Sequence, residues 1–507
     1  MNYLDLFRVT LPETVLEVAA LLVLVVDLGP LRKSATSVRA GVAALLGVVG
    51  CAAALWSIAP PAAGALSFDG NVLLATGGFT AVAQTAILVL TALTLLLLVD
   101  SGFTRHVGEY VAVVLMAAAG GLLIAGAQDL LVIFIGLELL SLGLYILTAF
   151  AKSSGKSAEA AMKYYLFGGM SAAFLLFGFS YLYGLTGSTN LHRIMLSSVW
   201  TGLAGGTPLL YVGLVMIAAG LGFKVAAAPF HLWAPDAYEG APAPAAAFIA
   251  SVSKVASFAL LISIGTAMLH TFGGAREVHM IVVGPGSIPK YIGLQEPWSI
   301  ILAILAAASM LIGNLAALAQ VSVRRLLAYS AVAHAGYMLL ALAYMSYGPR
   351  SANALLYYVL TYGLTTIGAF GAVGVVERAA GGDRMDAFLG LHKRSPLLAA
   401  VLLVLFLSLA GIPPLVGFWA KFNLFAAVLA VGGGAVPFAL VALAVAMSAV
   451  SLYYYLQVLK RAYVQPPIEE TRIVVHPVTM LVLVAIAAGV VALGCFPALL
   501  QNWIASF

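Results

Sequence analysis

Four lysines and one glutamate interrupt stretches that are otherwise apolar: Lys163, Lys224, Lys254, Lys421 and Glu138. A charged side chain at bilayer depth costs roughly 2.5–3.5 kcal/mol on insertion scales, so such residues mark ion or proton paths. Lysine, unlike arginine, can release its proton once removed from water. Lys224 in GFKVAAAPF and Lys254 in SVSKVASF lie too deep to reach a headgroup, and the proton-relay reading is assigned to both. His334, in YSAVAHAGYML, adds an imidazole that titrates near working pH. Glu138, in IGLELLSLGLYIL, is the one acid of 19 squarely inside a span. It is either half of a charge pair or a carboxyl hydrogen-bonded to a neighbouring helix. Lys163, in AEAAMKYYLF, either snorkels to the interface or faces Glu138 across the bundle. Lys421, in LVGFWAKFNLF, is expected at the end of a half-helix with water on one side. His231 and Trp233 follow the first helix break, where structure or relay explains them equally well.

The elements that must position these groups follow from composition. The chain has 507 residues, 63% hydrophobic and 8% charged, against about 25% charged in soluble domains. That makes it an integral membrane protein, and an all-α one, because helices satisfy their own backbone groups in lipid. The single membrane domain is read as the whole of 1–507. The formal charge of +5 comes from basic residues scattered in short loops and is no nucleic-acid signal. Cys51 and Cys495 lie in apolar runs, are read as small core residues, and form no metal or iron–sulfur motif. Asp5, Glu13 and Glu17 argue against a cleaved signal peptide.

A span needs about 20 mostly apolar residues. Fourteen are expected, at 11–29, 39–59, 78–100, 107–126, 129–150, 160–185, 207–235, 242–270, 299–319, 325–345, 353–377, 395–430, 434–460 and 474–497. Loops after odd-numbered spans carry 15 Lys and Arg; loops after even-numbered spans, with the N-terminus, carry 5. The basic side is cytoplasmic, so both termini are expected outside. The polar stretch 271–298 is expected as an outer loop with a short hairpin, and 378–394 as a charged cytoplasmic loop.

Two spans carry internal prolines. Pro229 should break the seventh between Val225 and Ala228, and Gly411, Pro413 and Pro414 should break the twelfth. Paired broken spans point to an inverted-repeat transporter, with units at approximately 107–270 and 299–460. The offsets from Glu138 to His334 and from Lys224 to Lys421 are nearly equal, at 196 and 197 residues, but Pro229 to Pro413 is 184. The two registers leave the repeat open.

The runs GLELLSLGLYIL, GFKVAAAPFHLWAPDAYEGAPAP, SVSKVASF, NLAALAQVSVRRLLAYSAVAHAGYML and AGIPPLVGFWAKF together resemble the antiporter-like membrane subunits of bacterial proton-pumping NADH:quinone oxidoreductase, respiratory complex I. That set is shared with cation/proton antiporter complexes. The likeness covers nearly the whole chain, and PFHLWAPDAYEGAP is highly specific to the set. It implies two inverted five-helix repeats, each with a broken helix, and a proton path through Glu138, Lys163, Lys224, Lys254 and Lys421 with His334. Lys421 resembles the N type, where the M type carries a glutamate; the lateral helix of the L type is not expected. The implied protein is a non-redox translocase subunit of the bacterial inner membrane. Quinone, NADH, FMN and iron–sulfur clusters are expected in partner subunits, with no cofactor or metal in this chain. Partners would be other membrane subunits, including other antiporter-like ones, and lipid, with no nucleic acid. A subunit of a sodium/proton antiporter complex is the alternative, and a structural spacer a third reading.

Overall fold

The structure, a computed structural model, describes residues 3–58, 64–68, 71–196, 208–274, 295–345, 349–431, 434–467 and 471–506. Among these, eleven helices are long and apolar enough to cross a bilayer. They are α3 (Thr36–Ser57), α4 (Gly78–Leu98), α5 (Val107–Gly126), α6 (Leu130–Thr148), α7 (Gly155–Thr186), α11 (Ala243–Gly274), α12 (Gln295–Leu318), α13 (Val323–Ala343), α14 (Pro349–Ala380), α18 (Ala435–Tyr463) and α19 (Pro477–Cys495). Three further crossings complete the expected fourteen. One is α2 (Leu11–Leu28), which follows the short α1 (Tyr3–Val9) and carries Glu13, Glu17 and Asp27. The other two are broken: α9 (Pro208–Lys224) with α10 (Trp233–Gly240), and α16 (Pro396–Ala410) with α17 (Val416–Ala430). Short helices α8 (Leu191–Leu196), α15 (Leu391–Arg394) and α20 (Pro497–Ala505) lie between or after the crossings.

Packing relies on small residues, since lipid supplies no hydrophobic drive between helices. A Cβ on Gly120 of α5 would lie 2.6 Å from the Leu140 backbone nitrogen of α6. A Cβ on Gly313 of α12 would lie 2.5 Å from the Ala333 nitrogen of α13. Both helix pairs therefore touch backbone to backbone. The described part of α11, residues 243–267, is almost entirely buried and α13 and α14 nearly so, whereas α7 and α18 form the periphery. Lys254 on α11 and His334 on α13 thus hang on the most enclosed helices, whereas Lys163 lies on the peripheral α7.

One element departs from the all-helical expectation. Strand β1 (Gly64–Phe68) pairs antiparallel with β2 (Asn71–Thr76) between α3 and α4. Asn190 donates to the Val72 carbonyl at 2.7 Å and ties the hairpin to the loop after α7. Most of the 271–298 stretch, where a hairpin was expected, lies outside the described residues. The 378–394 connection is ordered: Ser322 donates to Asp383, and the Met385 amide to the Val321 carbonyl at 2.9 Å. Cys51 is buried as expected, but Cys495 is exposed at the end of α19.

Candidate functional site

Both breaks fall where proline chemistry predicts. The α9 helix stops at Lys224, and Val225 to Ala228 are non-helical. Pro229 has no N–H to continue the ladder, and Ala226 takes the left-handed conformation with φ 57°. The freed backbone groups find partners. The Trp233 indole N–H donates to the Phe223 carbonyl at 3.1 Å, and the Ala228 amide donates to Ser309 at 2.8 Å. Trp233 also stacks flat on Tyr164, centroids 4.1 Å apart. His231 is buried, its ring 6.2 Å from Tyr329. In the second break Gly411 adopts φ 88°, which suits a residue without Cβ, and its amide bonds the Leu407 carbonyl at 3.0 Å.

The break in α9 delivers Lys224 to α6. Its side chain is buried, with Nζ 3.6 Å from Glu138 Oε1 and donating to Ser141 Oγ at 2.5 Å. Glu138 and Ser141 are three residues apart and share one face of α6. The charge partner of Glu138 is therefore Lys224.

Lys163 is not that partner. Its Nζ lies 2.9 Å from Asp236 Oδ2 and 2.6 Å from Glu159 Oε1, and the side chain is partly exposed. The reason is the half-helix α10, which folds back beside the start of α7 and places Asp236 nearer than Glu138. Arg325 joins the same group, 2.6 Å from Asp236 and 3.0 Å from Glu239, and Lys156 meets Glu239 at 3.3 Å. Asp236 lies just beyond the seventh predicted span. Lys163 and Arg325 both donate to the Asp236 carboxylate. Behind this cluster Arg324 is 3% exposed. It donates to the Tyr238 carbonyl at 2.9 Å, to the Ala241 carbonyl, and to both oxygens of Glu377 at 3.1 and 3.0 Å.

Lys254, 1% exposed, points from α11 to the Ala331 carbonyl of α13. Its Nζ sits 5.4 Å from the Tyr362 ring centre. His334 is 4.9 Å from the same ring, and its Nδ1 is 2.8 Å from the Tyr358 hydroxyl. On its other side His334 is 5.7 Å from Tyr337. The Lys421 ammonium lies 5.4 Å from the Tyr337 ring. His334 thus sits between Lys254 and Lys421 with one tyrosine ring on each side. Lys421 is buried and donates to the Ala410 carbonyl at 2.9 Å and to Ser448 at 2.8 Å. Ala410 ends α16, so the ammonium caps the negative end of that half-helix, as expected for a cation there. A second polar strand runs alongside. Ser330 bonds Tyr455, Tyr454 donates to Asn314 at 3.1 Å, and Asn314 donates to Tyr337 at 3.1 Å.

Several groups escaped sequence reasoning. Asp236, Glu239 and Arg325 were not singled out, although PFHLWAPDAYEGAP covers the first two. Glu13, 5% exposed beside Gln84 at 3.4 Å, and Asp27, paired with Arg39 at 2.6 Å, are buried near span ends. Asn314, Tyr358, Tyr362, Tyr454 and Tyr455 carry no charge to draw the eye. A Tyr-Tyr-Tyr run at 453–455 and Asn314 inside an apolar helix were the available signals. Among the described residues no cluster of His, Cys, Asp or Glu could hold a metal ion.

The chain matches the family described as NADH:quinone oxidoreductase/Mrp antiporter, TM, over residues 127–288 and 287–448. It is 47% identical to NADH-quinone oxidoreductase subunit N 2 of Acidobacterium capsulatum, over 99% of each chain. It is 41% identical to NADH-quinone oxidoreductase subunit N of Desulforamulus reducens, over 77% of this chain and 75% of that one. A chain of respiratory complex I from Thermus thermophilus superposes with a TM-score of 0.76 at 34% identity, covering 97% and 98%. A chain of the Mrp complex from Dietzia sp. DQ12-45-1b reaches a TM-score of 0.78 at 22% identity, which shows a shared fold. With this much common sequence along nearly its whole length, the chain belongs to the subunit N family of NADH-quinone oxidoreductase.

Proposed function

We propose that this chain is a proton-translocating membrane subunit of NADH:quinone oxidoreductase, moving protons outward while quinone is reduced in other subunits. The observation that carries the reading is the burial of Lys224, Lys254 and Lys421, with His334 between the last two. Each amine can hold or pass a proton away from water. Opening the Lys224–Glu138 pair lets Lys224 hand its proton towards Lys254. From there it moves by His334 to Lys421 and out. Lys163 acts at the edge, through Asp236. The chain does no redox chemistry itself; NADH, FMN, iron–sulfur clusters and quinone belong to partner subunits. Its partners are the other membrane subunits of the complex, antiporter-like ones included.

Magnitudes permit this. Opening Lys224–Glu138 from 3.6 Å to roughly 6 Å changes the Coulomb energy by about 2 kcal/mol at an effective dielectric near 20. Driving one proton against 100 mV takes about 2.3 kcal/mol. The two are of one size.

The paired breaks and the matched backbone contacts at Gly120 and Gly313 favour two inverted repeats, near 107–270 and 299–460. The loop-charge bias favours both termini outside. A sodium/proton antiporter subunit is the second reading, favoured by the fold shared with the Mrp chain; the higher identities favour the first. Purification in mild detergent separates them. Copurifying flavin and iron–sulfur proteins support the first, and small membrane subunits alone support the second. In the intact complex in proteoliposomes, Lys224→Ala is expected to cut proton pumping at least tenfold. Pumping and quinone reduction both at wild-type rates would reject the relay and leave a structural spacer.

A further inference from the structure

We infer that Ser141 is a positioning residue that keeps the Lys224 ammonium from closing onto Glu138. The inference rests on the relay reading above and adds to it what sets the gap in its first charge pair.

An ammonium and a carboxylate free to meet do so at about 2.7–2.9 Å. Here they stand at 3.6 Å, and the ammonium bonds the Ser141 hydroxyl at 2.5 Å instead. Glu138 Oε1 is buried and has no hydrogen-bond partner among the described residues. A buried carboxylate oxygen left in this way is costly, so something must hold the lysine aside. The hydroxyl is built for that. Ser141 donates its own hydrogen to the Leu137 carbonyl one turn back on α6, which turns its lone pairs towards Lys224. The hydroxyl then only accepts, and the ammonium has two acceptors on one helix face, one neutral and one charged. Lys224 is fixed from behind as the last residue of α9, before the non-helical turn at Val225. Its stem cannot slide along α6 without moving the break.

Without the hydroxyl the ammonium has Glu138 alone to bind. The pair closes and becomes harder to open, so the relay slows while the protein stays folded. Val and Thr have nearly the same shape and differ here by the hydroxyl, so they separate this role from packing.

The test compares Ser141→Val, Ser141→Thr and Lys224→Ala in the intact complex in proteoliposomes. Quinone reduction and protons moved per electron are recorded, and complex yield serves as the folding control. Ser141→Val is expected to lower coupled turnover by about tenfold, the effect of about one extra hydrogen bond to be broken, with yield unchanged. Ser141→Thr is expected to restore it to within about twofold of wild type, a difference of a few tenths of a kcal/mol. Equal behaviour of the Val and Thr variants, whether both active or both impaired, overturns the inference. If they are equal and Lys224→Ala still abolishes pumping, the relay stands and the positioning role falls. If Lys224→Ala pumps normally, the relay itself falls.

Discussion

At the scale of single residues, the chain separates two kinds of charge. Arg324 and Asp236 hold helices together, whereas Lys224, Lys254 and Lys421 each keep an amine out of water against neutral partners or one carboxylate. Removing one member of a buried pair leaves the other uncompensated, at a cost of about 3–5 kcal/mol. Arg324→Ala is therefore expected to lower the melting temperature of the purified protein sharply, with Glu377 and two carbonyls left without their donor. An unchanged melting curve would contradict the staple role. The residue level was also the least legible in sequence. Lys163 and Glu138 have the right signs to pair, but sequence gives neither the depth nor the azimuth of a helix, and α10 brought Asp236 to Lys163 first.

At the scale of elements, the two breaks organise the path. One puts Lys224 on the last turn of a half-helix, and the other presents a half-helix end to Lys421. Gly411 is where the second break is most constrained. A Cβ there would lie 2.9 Å from the Lys421 side chain, on a backbone at φ 88°. Gly411→Ala should cost about 1–2 kcal/mol in backbone strain and displace the lysine, lowering pumping with little change in assembled complex. Proton flux at the wild-type level in that variant would show that Lys421 tolerates the shift. Elements were largely legible. Apolar length and proline chemistry read out α9, α16 and α17 closely, because both signals act within a few residues; α10 runs to Gly240, past the expected end of its span at 235. The β1–β2 hairpin was missed because its strands are short and GALSF and NVLLAT alternate poorly. It is held by Asn190, more than a hundred residues away.

At the scale of the whole molecule, the fourteen crossings and the charge bias imply one orientation. A protease site appended at the C-terminus should be cut from the periplasmic side in right-side-out vesicles, and protection there would reverse the assignment. The burial gradient, from an enclosed α11 to a lightly packed α18, was not legible, because the two helices have nearly the same mean hydropathy, 2.0 and 2.2. Phe438, Val445 and Tyr453 of α18 face outward. That helix runs 29 residues, Ala435–Tyr463, with Lys460 and Arg461 in its last turn. Such a rod is about 43 Å long, while the hydrocarbon slab is about 30 Å thick. It must therefore lean, or lift its basic end among the phosphates. Acyl-chain length then becomes a mechanical input: thinner bilayers would tip this outer rod further and thicker ones would stand it upright.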